Sequence, residues 1–558
     1  MRVSVGVRAA ITIVAVVSLP TTFLPAREKP TAPAALSPRE VALHALNRLG
    51  FGAGPGDVDR VLGMGISRYI EEQLHPERIP EASIERRLSG LPTLQMTTAE
   101  LFDTFENPVR EARRLRREEP DSPRMREAIP PEMRPRRILE ELAAARVLRA
   151  VYSKRQLNEV LVDFWMNHFN VYAAKGLDRV FITSFERDVV RPRIWGKFED
   201  LLMATAKSPA MLFYLDNARS VADESNRPAL PARSAGSLAI GRRLPYIGID
   251  RRRPGPNAPT GLNENYAREL MELHTLGVDG GYAQRDVTEV ARALTGWSIE
   301  RPEQGQGFVF RAPMHDVAPK TALGRSFPAG GGIEEGEMVI RILAHHPSTA
   351  RRIASELARR LVADEPPKAV VERTAKTFLA TDGDLRETVR AIVTSREFLD
   401  PSNFHAKVKS PFEFVVSAVR AAGGDTDGSA LVGEIGRMGE PLYLCQPPTG
   451  YANTSAAWVN SGALVARLNF ALALAAGKIP GTFADVTGLV PCADERDPKQ
   501  AVSDLARALT GSDLSGDTEN TISRQIECER PAAESPEAKT QVRVIAGLVL
   551  GSPEFQRE

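Results

Sequence analysis

The sequence predicts a mainly α-helical protein: a large multi-helix body with long loops and at most a small β-hairpin near residues 307–327. Three observations predict it. Helix-capping signatures recur, apolar residues repeat at helical spacing, and strand patterns are thin. "SPRE" at 37–40 sets Ser37 as an N-cap, Pro38 at the first helical position and Glu40 three residues past the cap, an arrangement that satisfies two orphan backbone donors. "DLRE" at 384–387 and "DVTE" at 286–289 repeat it with Asp as the cap, whose side-chain oxygen accepts from the same backbone donors. Apolar spacing near 3.6 runs through "LNEVLVDFWMNHF" (157–169), "EEGEMVIRILAHH" (334–346), "STARRIASELARRLV" (348–362) and "VKSPFEFVVSAVRAA" (408–422). The best strand signal is "GFVF" at 307–310, read as one arm of a hairpin.

The N-terminus, "MRVSVGVRAAITIVAVVSLPTTFLPA", has Arg2 and Arg8, an apolar run from Ala9 to Leu19, a helix-breaking Pro20 and small residues near Ala26. That layout predicts a secretory signal peptide over 1–26, too short in its apolar run to span a bilayer comfortably. A linker over 27–36, a helical core over 37–480 and a C-terminal helical extension over 481–558, packed on that core, complete the expected organisation. No later segment is long and apolar enough to cross a membrane, so the expected location is periplasmic or extracellular. An oxidising compartment permits one disulfide. Of Cys445, Cys492 and Cys528, the reading favours Cys492–Cys528 and leaves Cys445 free.

With 42% hydrophobic and 26% charged residues and a net charge of +1, the chain has no overall field to recruit nucleic acid or an anionic membrane. The arginine-rich stretch 107–140 alternates Glu and Asp with its arginines and is broken by prolines. It reads as a solvated helix–linker–helix, and no nucleic-acid partner is expected. Residues 218–262, rich in Pro, Gly and Arg, lack helical period, and loops of that length are more often functional or mobile than idle. Residues 478–500 and 511–537 read as polar and broken.

The stretch 263–297, "NENYARELMELHTLGVDGGYAQRDVTEVARALTGW", resembles the signature of the bacterial family catalogued as domain of unknown function 1800. "LNRLGFGAGPGDVDRV" (46–61), "DFWMNHFNVY" (163–172), "MHDVAPKTALG" (314–324), "VKSPFEFVVSAVRA" (408–421), "GEPLYLCQPPTGYANTSAAWVNSGALVARLNF" (439–470) and "GSPEFQR" (551–557) follow in the family's order. The resemblance implies an exported, mostly helical bacterial protein without an established reaction. It also implies a neighbour, since members are often encoded beside domain of unknown function 1501, a family resembling sulfatases and alkaline phosphatases.

Chemistry must come from residues. On a helical wheel Glu264, Asn265, Arg268, Glu269 and Glu272 fall within an arc of about 140°, opposite Tyr266, Leu270 and Leu273. A solvated face laced by i,i+4 pairs explains that arc. The rival reading gathers His168 and His274, both on apolar helix faces, with His315 as ligands of a divalent metal such as Zn, Fe or Mn. Glu269, Glu272 and Asp316 then supply catalytic carboxylates, and Asn167, Glu264, Asn265, Arg268 and Lys320 complete the polar surroundings. Tyr451, Trp458 and Asn460 in "PPTGYANTSAAWVNS" (447–461) offer an aromatic platform for a sugar or peptide, or simple packing. Three functional classes stay open: an exported metal-dependent enzyme (hydrolase before oxidoreductase) acting on envelope or extracellular material; a non-catalytic scaffold binding a partner such as the sulfatase-like neighbour; and a surface binding module.

Overall fold

The computed structural model describes residues 35–118, 130–228, 261–301, 307–489, 498–527 and 536–558. It is 61% helical, and strands among the described residues form three two-stranded pairings. Residues 36–558 make one unit. The capping logic is visible at the first helix, Pro38–Arg48, where Ser37 accepts from the Glu40 backbone and Glu40 returns the bond to the Ser37 backbone at 2.7 Å. Asp384 caps Leu385–Val393 in the same sense, accepting from Glu387 N at 3.0 Å. The third cap is corrected. The helix Gln284–Ala293 begins two residues before Asp286. Asp286 sits in its first turn and accepts from Ala283 N and Leu323 N, so one carboxylate closes the helix start and pins a hairpin turn.

The "GFVF" arm is Phe308–Phe310, antiparallel to Trp297–Ile299, with Ser298 opposite Val309. A second hairpin pairs Lys320–Ala322 with Arg325–Phe327, and Asp425–Thr426 pairs with Thr482–Phe483. Trp297 is fully buried over Gly336 of the helix Ile333–Ala344, where a Cβ would lie 2.6 Å from the indole. The arginine-rich stretch contributes the helices Asn107–Glu118 and Arg136–Tyr152, and its linker lies outside the described residues. The 511–537 stretch, read as broken, contains the helix Gly516–Glu527. The signal segment 1–26, most of the 218–262 loop, Cys492 and Cys528 fall outside the described residues. Cys445 is buried and free. No described helix is long and apolar enough to cross a membrane.

The body that positions the site is a packing of Arg136–Tyr152, Gln156–His168, Pro347–Leu361 and Pro411–Ala421. Each buries an apolar stripe in the common core, including Leu157, Leu161, Trp165, Leu357, Phe414 and Val415, and each carries one or two charged residues inside that stripe. Those interior charges are what the fold must satisfy.

Candidate active site

The polar helix Glu264–Glu272 is capped by Asn263, which accepts from Asn265 N at 2.9 Å. Tyr266, Ala267, Leu270 and Met271 are buried. Its polar arc laces it to the helix Gln284–Ala293: Glu264 accepts from Gln284 and Thr288 at 2.7 Å each, and Arg268 donates to Gln284 at 2.9 Å. Asn265 is exposed. Burial and the neighbouring Glu272 raise the Glu269 carboxyl, but no histidine stands among its partners. This face joins two helices.

At the end of that helix the chain tightens, and the Glu269 carbonyl accepts from both Leu273 N and His274 N. The turn aims His274 at the helix Gln156–His168. Its ring lies 5.1 Å from Phe169 and 6.2 Å from His168, centroid to centroid. His168 Nε2–H donates to the His274 carbonyl at 3.2 Å. Burial lowers the His168 imidazole to about 4, helped by Arg352, and burial and His168 drive His274 well below its ordinary value. Both are therefore neutral at physiological pH.

His315 does not join them. Its Nδ1–H donates to Thr295 O at 2.8 Å and its Nε2 faces Glu335 at 3.3 Å. Lys320 pairs with Glu335 at 2.6 Å, and Asp316 takes a two-pronged grip from Arg292 at 2.8 and 3.0 Å. Opposite charges meet throughout this network, which staples the loop after Phe308–Phe310 to the helix Ile333–Ala344. The expected metal set of His168, His274 and His315 is thus divided between two clusters. Among the described residues no group of three or more His, Cys, Asp or Glu is placed to hold an ion. The physical reason is local: a carbonyl engages His168, and a carbonyl and a carboxylate engage His315, so neither ring needs a shared ion.

A different cleft collects functional groups. It is a cavity of about 70 Å³ floored by Asp163 and Asn167 and walled by Arg146, Arg360, Lys407 and Glu413. The loop carrying Tyr443, Tyr451 and Trp458 roofs it. Asn167 fastens the roof, donating to Tyr451 O at 2.8 Å and accepting from Tyr451 N at 2.7 Å. Asn170 holds the carbonyls of Cys445 and Pro447 at 3.0 and 2.8 Å. Lys407 pairs with Asp364 at 2.6 Å, and Asp364 also accepts from Ser455 N at 2.7 Å. Tyr451 and Trp458 stand 6.0 Å apart at the edge. Beneath them Arg146 pairs closely with Asp163, and Arg360 with Glu413. Glu440 accepts from Phe412 N at 2.8 Å, and burial, with the nearby Asp163 charge, raises its carboxyl to about 8. Burial also pushes the Cys445 thiol up to about 11, which disfavours the nucleophilic thiolate.

A family model described as protein of unknown function, DUF1800, matches residues 44–557. The chain belongs to this family. No curated protein and no solved structure matches it. Segments 163–172, 408–421 and 439–470 supply every lining residue of the cleft except Arg146, Arg360 and Lys407. Three segments far apart in this DUF1800 chain converge on one cavity, whereas the 263–277 stretch makes none of it. Of the residues singled out from sequence, Asn167, Tyr451 and Trp458 reach the cleft. Arg146, Asp163, Arg360, Lys407, Glu413 and Glu440 were missed. A signal existed for three of them: Asp163 in "VLVDFWM", Glu413 in "PFEFVV" and Arg360 in "LARRLV" each place a charge inside an apolar run, and interior charges demand partners.

Proposed function

We propose that this DUF1800 protein is an exported hydrolase acting on a small polar group of envelope or extracellular material, with its chemistry in the Asp163–Glu440 cleft. One observation carries the reading: two carboxyl groups of one cleft, Glu440 and Asp163, stand in contrasting electrostatic surroundings. Glu440 keeps its proton near neutral pH, whereas Asp163 is flanked by the guanidinium groups of Arg146 and Arg360. Contrasting surroundings of paired carboxyls are how acid and base roles are divided within one site. In the reaction, Glu440 passes its proton to the leaving oxygen as the scissile bond breaks. Asp163 takes a proton from the water that adds, and exchange with solvent resets both groups. Tyr451 and Trp458 form the edge against which the rest of the substrate rests. The test is a panel of chromogenic glycosides and esters with protein recovered from the envelope fraction. Glu440→Gln should lower kcat by about 10²- to 10⁴-fold on any substrate turned over, with helical content unchanged. Full turnover by that variant would remove Glu440 from the mechanism.

A second reading, a non-catalytic partner binder, rests on Val459, Leu464 and Val465, which are 49%, 42% and 60% exposed just past Trp458. A sulfatase-like protein of family 1501 is the proposed partner. Co-purification abolished by Val465→Asp, with hydrolysis absent from the whole panel, would favour it.

A further inference from the structure

The unmet polar atoms around the cleft are all of one kind. Among the described residues, the buried side-chain atoms without a hydrogen-bond partner include Arg48 Nε, Arg146 Nε, Arg360 Nη2 and both Nε and Nη1 of Arg467. Each of these is a donor. No oxygen of the carboxylates that face them, Asp163, Glu413, Glu440 and Glu558, is among the unmatched atoms. Arg467 and Arg48 stand behind the cleft, bound to Lys409 O and Glu558. Arg146 and Arg360 line it. Arg360 Nη2 stands 3.9 Å from Asp163, beyond hydrogen-bond reach. A buried donor left unmet costs about 1–3 kcal/mol, more when it is charged, so the cavity asks for acceptors rather than donors.

We propose that the cleft receives its ligand through an oxyanion, a carboxylate or sulfate group seated against Arg360 Nη2 and the Arg146 guanidinium, so that the substrate is an acidic sugar rather than a neutral one. This rests on the reading of the cleft as the working site and names what enters it. A carboxylate brings only acceptors and matches the guanidinium fork. A sugar hydroxyl brings a donor with each oxygen, which the unmet arginine donors do not need. Size agrees as well: a cavity of about 70 Å³ holds one such group, leaving the ring under the Tyr451–Trp458 edge.

The experiment is calorimetric titration of the full purified chain with D-glucuronate, D-glucose and inorganic sulfate at fixed ionic strength. Tryptophan fluorescence of wild-type and Trp458→Phe protein reports where binding occurs. Glucuronate should bind at least about tenfold more tightly than glucose, sulfate should compete with it, and Trp458→Phe should lose most of the fluorescence change. Arg360→Lys should weaken glucuronate, and Arg360→Gln more so. If Arg360→Gln does not fold, the lysine variant, which keeps the charge beside Glu413, decides. Glucose binding as tightly as glucuronate, with a signal that depends on Trp458, would overturn the oxyanion but leave the cleft as the site. Glucuronate binding untouched by both the Trp458 and Arg360 variants, or no binding of any probe, would overturn the two together.

Discussion

Glu440, His168 and His274 are side chains whose protonation the fold controls, and their pH consequences have opposite signs. Glu440 has a folded value of about 8 against an ordinary 4.5. The stability it contributes is complete below about 4.5 and is lost as pH rises toward 8. Glu440→Gln, which cannot ionise, should therefore match wild-type melting near pH 4. By pH 8 it should exceed the wild type by an amount on the order of a few kcal/mol. Thermal melts across that range check this, and parallel curves would refute the buried acid. The histidine pair runs the other way. Burial holds His168 at about 4 and drives His274 well below its ordinary value, so folding is favoured above the ordinary 6.5 and weakens as pH falls toward 4. His44 and His405, depressed by burial to about 3 and about 4, act in the same window. The double variant His168→Gln/His274→Gln should therefore flatten, without abolishing, the fall in urea midpoint between pH 6.5 and 4.

Individual elements aim these groups through their ends. The helix Pro411–Ala421 starts with a capping box in which Ser410 accepts from Glu413 N at 3.3 Å and Glu413 accepts from Ser410 N at 2.7 Å. The same Glu413 carboxylate pairs with Arg360, so the cap also orients the cleft wall. Ser410→Ala should cost about 1 kcal/mol, and it should weaken any cleft ligand because Glu413 is less firmly held. Denaturant unfolding and ligand titration on one sample separate the two effects. The roof loop turns at Gly450, with φ 68°, and a Cβ there would collide with the Asn167 carbonyl. Gly450→Ala combines left-handed strain with that collision and should destabilise by about 1–3 kcal/mol. Loss of the Asn167–Tyr451 clamp should also open the roof to proteolysis between 447 and 458. Capping boxes are legible in sequence because they are local. The misplaced start of Gln284–Ala293 shows the limit: Asp286 resembles a cap, yet serves the first turn and a hairpin 37 residues away.

Across the whole molecule the ion network ties distant parts together. Arg48 of the first helix, fully buried, meets Glu558 at 3.3 Å, and Arg360 approaches the same carboxylate at 3.9 Å. Val408 forms a bridge with Arg557 beside them. Removing one partner of such a group leaves an uncompensated buried charge, a loss of about 3–5 kcal/mol. Glu558→Ala should therefore lower urea stability by that order, with Glu558→Gln intermediate because it keeps one acceptor. Since Arg48 and Arg360 lie in helices remote in sequence, the loss should appear in the single cooperative transition of residues 36–558, not as separate melting of one end.

Helical class, many helix boundaries, the hairpin arm at 308–310 and the family were legible in the sequence, because periodicity, capping and motif order are properties of neighbouring residues. Asn167, Tyr451 and Trp458 could be singled out for the same reason. The assembly of a site could not. On the wheel His168 and His274 are inward-facing imidazoles and His315 follows in a loop, and nothing local shows that carbonyl oxygens engage His168 and His315 while His274 lies against His168. Nor can periodicity show that Asp163, Arg360, Glu413 and Glu440, spread over nearly 280 residues, share one cavity. Local order sets which side chains face inward, but only tertiary packing decides which of them meet, because a buried charge is satisfied by whatever partner the fold brings within a few ångströms.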